Sequence, residues 1–226
     1  MVLGLIKLLG IVLFLYLVWR NLNDDYRDDE LISYGWSSIL VMLLGGRIVY
    51  GLWNWGALND SWTSWLMVWK ISGFNYYGGI VGVLLWTWWF CVKNEWKLWS
   101  FLEDVTPIYY LLLAFLSGGE YIQRGLEFRL LVWMVIAVMG YLLANFLKGK
   151  YRSISWYRSG KKGFIFFATN LVMSIVVAIS SFLFKDGLIL SLLYLGLSLI
   201  FAAGTAILGD VFNSSTKGWR VNGSKN

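Results

Sequence analysis

Histidine is absent from this 226-residue chain, cysteine and proline occur once each, and only 14% of the residues are charged. Each shortage removes a class of chemistry. Without histidine there is no imidazole base, no Ser–His or Cys–His nucleophile pair and no zinc site of the usual kind. With Cys91 alone there is no internal disulfide and no cysteine-cluster metal site, so neither a metal nor a cofactor is expected. Low charge is matched by high apolar content: 58% of the residues are hydrophobic, 19% are aromatic, and the mean hydropathy is +0.63. A soluble domain carries roughly 25% charged and 45–50% apolar residues. The deviation points away from a water-soluble domain, and it is the reverse of the composition that disorder requires. The apolar runs are continuous, unlike the alternating strands of outer-membrane barrels. What remains is an all-α fold, a polytopic membrane helix bundle.

A bilayer core of about 30 Å takes roughly 20 apolar residues of helix. About seven such runs are present, over 2–19, 32–53, 77–92, 98–116, 128–147, 163–184 and 187–208. The third and fourth are short or interrupted, the fourth by Pro107, which removes a backbone donor and is expected to kink the helix. The first is read as a retained helix rather than a signal peptide. Its early cation, Lys7, is embedded among apolar residues, and Trp19-Arg20-Asn21 follows where a small-residue cleavage site would stand. Residues 1–209 then form a single integral membrane domain, and the polar, Gly/Ser-containing stretch 210–226 forms a mobile cytoplasmic tail.

The net charge of +6 is read as topology and as attraction to membrane lipids, not as a nucleic-acid surface. Thirteen loop lysines and arginines fall on one side of the spans, at Arg20, Arg27, Lys93 and Lys97, between 148 and 162, and in the tail. Four fall on the other, at Lys70, Arg124, Arg129 and Lys185. The positive-inside rule puts the N-terminus outside and the C-terminus in the cytoplasm.

Four features are candidates for chemistry. In the outer segment 54–76, Trp62, Trp65 and Trp69 recur at helical spacing. They fit an interfacial helix on the outer leaflet, or an ordinary aromatic belt. Arg47 lies deep in the second run, where a charge costs at least about 2.5–3.5 kcal/mol. Its guanidinium suits a phosphate, or it forms an ion pair with Asp104 or Glu103. The third run opens with Gly73-Phe74-Asn75-Tyr76-Tyr77-Gly78-Gly79-Ile80-Val81-Gly82. Gly78 and Gly82 permit close approach of a neighbouring helix; alternatively, Gly78 and Gly79 leave room for a headgroup, with Tyr77 pointing into it. The fourth run ends in Ser117-Gly118-Gly119-Glu120-Tyr121-Ile122-Gln123-Arg124-Gly125, which offers Glu120 as an acid/base group and Arg124 as a phosphate partner.

Together these pieces resemble the bacterial prolipoprotein diacylglyceryl transferases over roughly residues 35–125. Gly46-Arg47-Ile48-Val49-Tyr50 is similar to the family's G-a-R-l-g-Y segment. Trp69 and Gly73–Gly82 are similar to its W-x-G-G-L-S-F-H-G-G-L-I-G stretch. Phe101–Pro107 followed by Gly119-Glu120-Tyr121-Ile122-Gln123 is similar to L-x-D-x-x-x-P and G-N-F-I-N. Three departures stand out: Tyr77 falls on the family histidine, Glu120 on a signature asparagine, and Ser117 on the arginine that the family uses on the phospholipid headgroup. The last spans hold no counterpart of the family's late arginine.

The resemblance implies a seven-helix enzyme of the bacterial plasma (inner) membrane. It would move a diacylglyceryl group from phosphatidylglycerol to the lipobox cysteine of prolipoproteins, whose signal peptides it would bind. Tyr77 and Glu120 would serve the thiol. Arg47, Arg124, Gly78, Gly79 and Ser117 would surround the headgroup. The second reading is a non-catalytic lipid- or partner-binding protein on the same scaffold, favoured by the serine at 117. A small transporter is weaker, since no repeated halves with broken helices are visible.

The orientation has a direct test. In a Cys91→Ser background, a cysteine at Ser61 should react with an impermeant reagent on intact cells, and one at Ser153 should not; the reverse pattern would overturn the assignment.

Overall fold

Lipid offers no water to backbone N–H and C=O groups, so a chain of long apolar runs must close its hydrogen bonds within each run. The computed structural model of the protein describes residues 2–53, 76–123, 125–150, 162–184 and 188–208. Within them every regular element is a helix: α1 (Val2–Leu22), α2 (Asp28–Trp53), α3 (Tyr76–Lys93), α4 (Leu98–Gln123), α5 (Phe128–Lys150), α6 (Phe164–Leu183) and α7 (Leu188–Leu208). Six are long and apolar enough to cross a membrane, and α3 is shorter, its apolar part being Gly78–Lys93. The expected all-α bundle is therefore present. The expected interfacial helix and tail lie outside the described residues.

Local chemistry places several ends. Asp28, Asp29 and Glu30 occupy the first turn of α2, and Lys148 and Lys150 the last turn of α5, each favourable to the helix dipole. α4 runs on past the apolar stretch 98–116 and through Pro107, so that Ser117–Gln123 is helical. Hydropathy falls there, but the hydrogen-bond ladder does not stop. It stops where Gly125 (φ 79°) and Leu126 (φ 66°) turn left-handed.

The chain divides into two compact units, Met1–Leu142 and Leu143–Asn226. In the first, α1 packs on α2 and α4, and α2 packs on α3. Its core is centred on Tyr34 of α2, which is wholly buried. The Tyr34 ring meets Phe90 of α3 and Phe101 of α4 edge-on. Its hydroxyl is 2.8 Å from Thr87 Oγ1 and 2.9 Å from the Tyr109 hydroxyl. One polar atom thereby joins three helices, and a buried hydroxyl so bonded avoids the cost of burial without a partner. At the adjacent end, the Tyr26 ring of the α1–α2 connection packs at a tilt against Trp96, and Trp96 donates through its indole N–H to Glu30. Burial and the nearby Asp104 carboxylate push the Tyr26 phenol up to about 12, so it stays neutral.

In the second unit, α6 packs on α7, with Phe166 and Phe167 against Phe201. The buried Thr169 and Ser181 hydroxyls of α6 have no hydrogen-bond partner among the described residues, while others in this unit donate to their own helix, Ser174 to the Leu171 carbonyl and Thr205 to that of Phe201. That satisfies them without water. The outward faces are apolar: Leu8, Val12, Leu40, Ile48, Leu199 and Ile200 are all more than half exposed. A multi-pass membrane protein needs such a surface.

Helices α2 and α3 approach each other backbone to backbone. A Cβ on Gly45 would lie 2.6 Å from the Gly78 carbonyl oxygen. Gly45→Val should therefore lower the thermal unfolding temperature in detergent, by overpacking of about 1–3 kcal/mol. Gly196→Val, where nothing lies within 4 Å, should leave it nearly unchanged. Equal losses would show that the contact is not the cause.

Candidate functional site

The α2–α3 approach joins two of the segments singled out in the sequence. Gly78 faces Gly45 and Val49, and Gly82 faces Val41 and Gly45. The small-residue spacing thus does what it does in membrane helices generally, bringing backbones together. For Gly78 the described contact is packing. Gly79, next to it, is also buried. Two residues along α2 from Gly45 stands Arg47, only 4% exposed, its guanidinium carbon 5.7 Å from the Tyr50 ring centroid. That distance is within cation–π range, one way to hold a charge deep in an apolar span.

A second grouping links α1 and α4. The stem of Lys7 crosses Gly119, and a Cβ there would meet Lys7 Cγ at 2.7 Å. The ammonium donates to Gln123 Oε1 at 3.2 Å and lies 3.8 Å from Glu120 Oε1. The Glu120 side chain is 15% exposed and that of Lys7 32%. Ser117, one turn earlier, is buried, and its hydroxyl donates to the Leu113 carbonyl at 2.7 Å.

The two groupings share one level. α1 is antiparallel to α2 and to α4, so α2 and α4 run the same way. The Tyr34–Tyr109 hydrogen bond registers them. Arg47 lies 13 residues beyond Tyr34 and Glu120 11 beyond Tyr109. At 1.5 Å per residue these are rises of about 20 and about 16 Å. The α1–α2 contact agrees: Leu15 meets Gly35, and Lys7 lies eight residues back along α1 while Arg47 lies twelve on along α2. The difference in height is about 6 Å. One end of the bundle, the Arg47 end, therefore carries Arg47, Gly78, Gly79, Ser117, Glu120 and Lys7.

The same register corrects the expected ion pair of Arg47 with Asp104 or Glu103. Those acids precede Tyr109 on α4, and Asp104 acts on Tyr26 at the opposite end. They are about 27–29 Å from Arg47 along the bundle, too far to pair. The sequence could not show this because it does not give helix register. Lys7 is not among the site residues the sequence suggests, although a lone cation in an apolar run is itself a signal. The side chain of Tyr77, which is the second residue of α3, lies outside the described residues. So do Arg124 and the segment with Trp62, Trp65 and Trp69.

Two cations and a carboxylate at one end of an otherwise apolar bundle can hold a phosphate and exchange a proton. By fold and surface the molecule is a multi-pass helical membrane protein with a charged cluster at one end. The family model of prolipoprotein diacylglyceryl transferase matches residues 1–202, and the chain belongs to that family. The match extends well beyond the resemblance over 35–125. The phosphatidylglycerol–prolipoprotein diacylglyceryl transferase of Psychrobacter arcticus is 31% identical over 129 residues, covering 54% of this chain and 42% of that protein. The proteins of the same name from Stenotrophomonas maltophilia and Pseudomonas fluorescens are 29% and 32% identical, again over 54% of this chain and over 43% and 47% of their own lengths. The chain thus matches less than half the length of these curated relatives.

Proposed function

We propose that the protein transfers a diacylglyceryl group from phosphatidylglycerol to the lipobox cysteine of prolipoproteins, whose signal peptides reach it within the membrane. The reading rests on family membership, on the names of the relatives, and on one observation: Arg47 is buried at the same level as Gly78, Gly79 and Glu120. In this reaction the cysteine sulfur attacks the glycerol carbon, the carbon–sulfur bond forms, the carbon–oxygen bond to phosphate breaks, and glycerol phosphate leaves. A free thiol has a pKa of about 8.5, so a nearby base is needed. Tyr77 or Glu120 takes that role. Negative charge moves to the departing phosphate, which needs fixed cations. Arg47 and Arg124 take that one. Gly78 acts by letting α2 approach, which sets Arg47 beside the headgroup space that Gly79 borders, and Ser117 lies at its edge. The protein works in the bacterial inner membrane as one domain over 1–209, N-terminus outside and tail in the cytoplasm.

The test is turnover by the purified chain, with phosphatidylglycerol and a lipobox peptide. The peptide should gain the diacylglyceryl group, and its Cys→Ser counterpart should not. Arg47→Ala should lower the rate by on the order of 10²–10³, the usual effect of removing one donor to developing charge. Tyr77→Phe, which keeps the ring and removes the hydroxyl, should also lower it. Ser117→Arg should raise it if the headgroup phosphate lies beside residue 117. A folded chain inactive in all forms would point to the non-catalytic scaffold.

A further inference from the structure

Lys7 is not used by the activity as set out above, yet its position is built. Its stem needs the missing side chain of Gly119, and its head has two partners on α4, Gln123 and Glu120. A lysine that merely snorkels to the membrane surface needs neither. The ammonium carries three N–H donors. Gln123 accepts one, Glu120 at 3.8 Å stands beyond ordinary hydrogen-bond length, and about a third of the side chain remains exposed. The head thus has a fixed place and capacity for another acceptor. α4 itself, from Leu98 to Gln123, contains no lysine or arginine, so α1 brings to this end the cation that α4 lacks. Arg47 stands within about 6 Å of Lys7 in height, by the register of α1 on α2.

We infer that Lys7 is a phosphate-binding residue: its ammonium, held by Gln123 and Glu120 at the Arg47 end, takes the phosphate of an anionic phospholipid headgroup. This rests on the proposed use of phosphatidylglycerol and adds a contact to it. The chemistry is that of a phosphate ester at a cationic head, and two sources could supply it, the lipid or the freed glycerol phosphate. The Lys7 side chain keeps 32% exposure near the start of the membrane-spanning stretch Leu5–Leu22, the level at which lipid headgroups lie, and this favours the lipid.

Binding, read apart from turnover, tests the inference. The full-length chain in maltoside micelles is titrated with fluorescent phosphatidylglycerol, with diacylglycerol of the same chains, and with glycerol phosphate. Lys7→Gln should weaken phosphatidylglycerol binding about tenfold, the loss of one charge-assisted hydrogen bond, and leave diacylglycerol unchanged. Lys7→Arg should restore phosphatidylglycerol binding. The Glu120→Gln background separates a ligand contact from a purely structural ion pair. There Lys7→Gln should still weaken the phospholipid, whereas a lysine that serves only to neutralise Glu120 would have no further effect. That double variant carries the same comparison should Lys7→Gln alone fail to fold. Unchanged phosphatidylglycerol binding, an equal loss for diacylglycerol, or a loss confined to glycerol phosphate would each overturn the inference. A chain that binds phosphatidylglycerol through Lys7 but moves no diacylglyceryl group would refute the proposed activity and leave the Lys7 site standing.

Discussion

The Tyr34 hydroxyl is the fixed point of the first unit. It meets Thr87 and Tyr109, so one atom ties α2, α3 and α4 at a common height. The aromatic packing around it, from Phe90 and Phe101, is apolar and could slide; the hydrogen bonds cannot, because each buried partner would be left unsatisfied. Register set here is carried along stiff helices to the Arg47 end. That is how residues scattered from position 47 to position 120 arrive on one level. The glycine contact between α2 and α3 then sets the spacing at that level.

Within lipid, polar groups are kept in two ways in this molecule. Some hydroxyls, such as those of Ser117, Ser174 and Thr205, turn back onto their own helix and ask nothing of a neighbour. The two charged groups are held by side chains, one locally and one across helices. Arg47 lies over the Tyr50 ring and is almost fully covered, and Lys7 reaches across to another helix. Hydroxyls bonded in this way are compatible with any helix in a membrane, while Lys7 marks a position where a particular tertiary arrangement is required.

Much of the fold was legible because lipid is a demanding solvent: long apolar runs there have few alternatives to the helix, and the runs announce themselves. Gly78 and Gly82 were legible for a similar reason, since a spacing of four puts both on one helix face. The extent of α4 was less so. Hydropathy drops after Leu116, but Ser117–Gln123 hold the helix until the left-handed turn at Gly125, and a composition signal does not see a hydrogen-bond ladder. Of the charges, Arg47 stood out through its depth. The wrong partners suggested for it, Asp104 and Glu103, and the unnoticed meeting of Lys7 with Glu120 have one cause: pairing between helices depends on relative height, which no single helix encodes.

The reach of Lys7 also has a consequence in time. Its acceptor on Gln123 is 116 residues further along the chain. While the protein is being made, α1 enters the membrane long before α4 exists. During that interval its ammonium can be satisfied only by water and lipid headgroups, which draws that end of α1 to the surface. The arrival of α4 exchanges those mobile partners for fixed ones, and Gly119 gives the lysine stem a groove to settle into. α1 is made before α4 and is in this respect locked only by it, so the order of synthesis and the order of consolidation run in opposite directions.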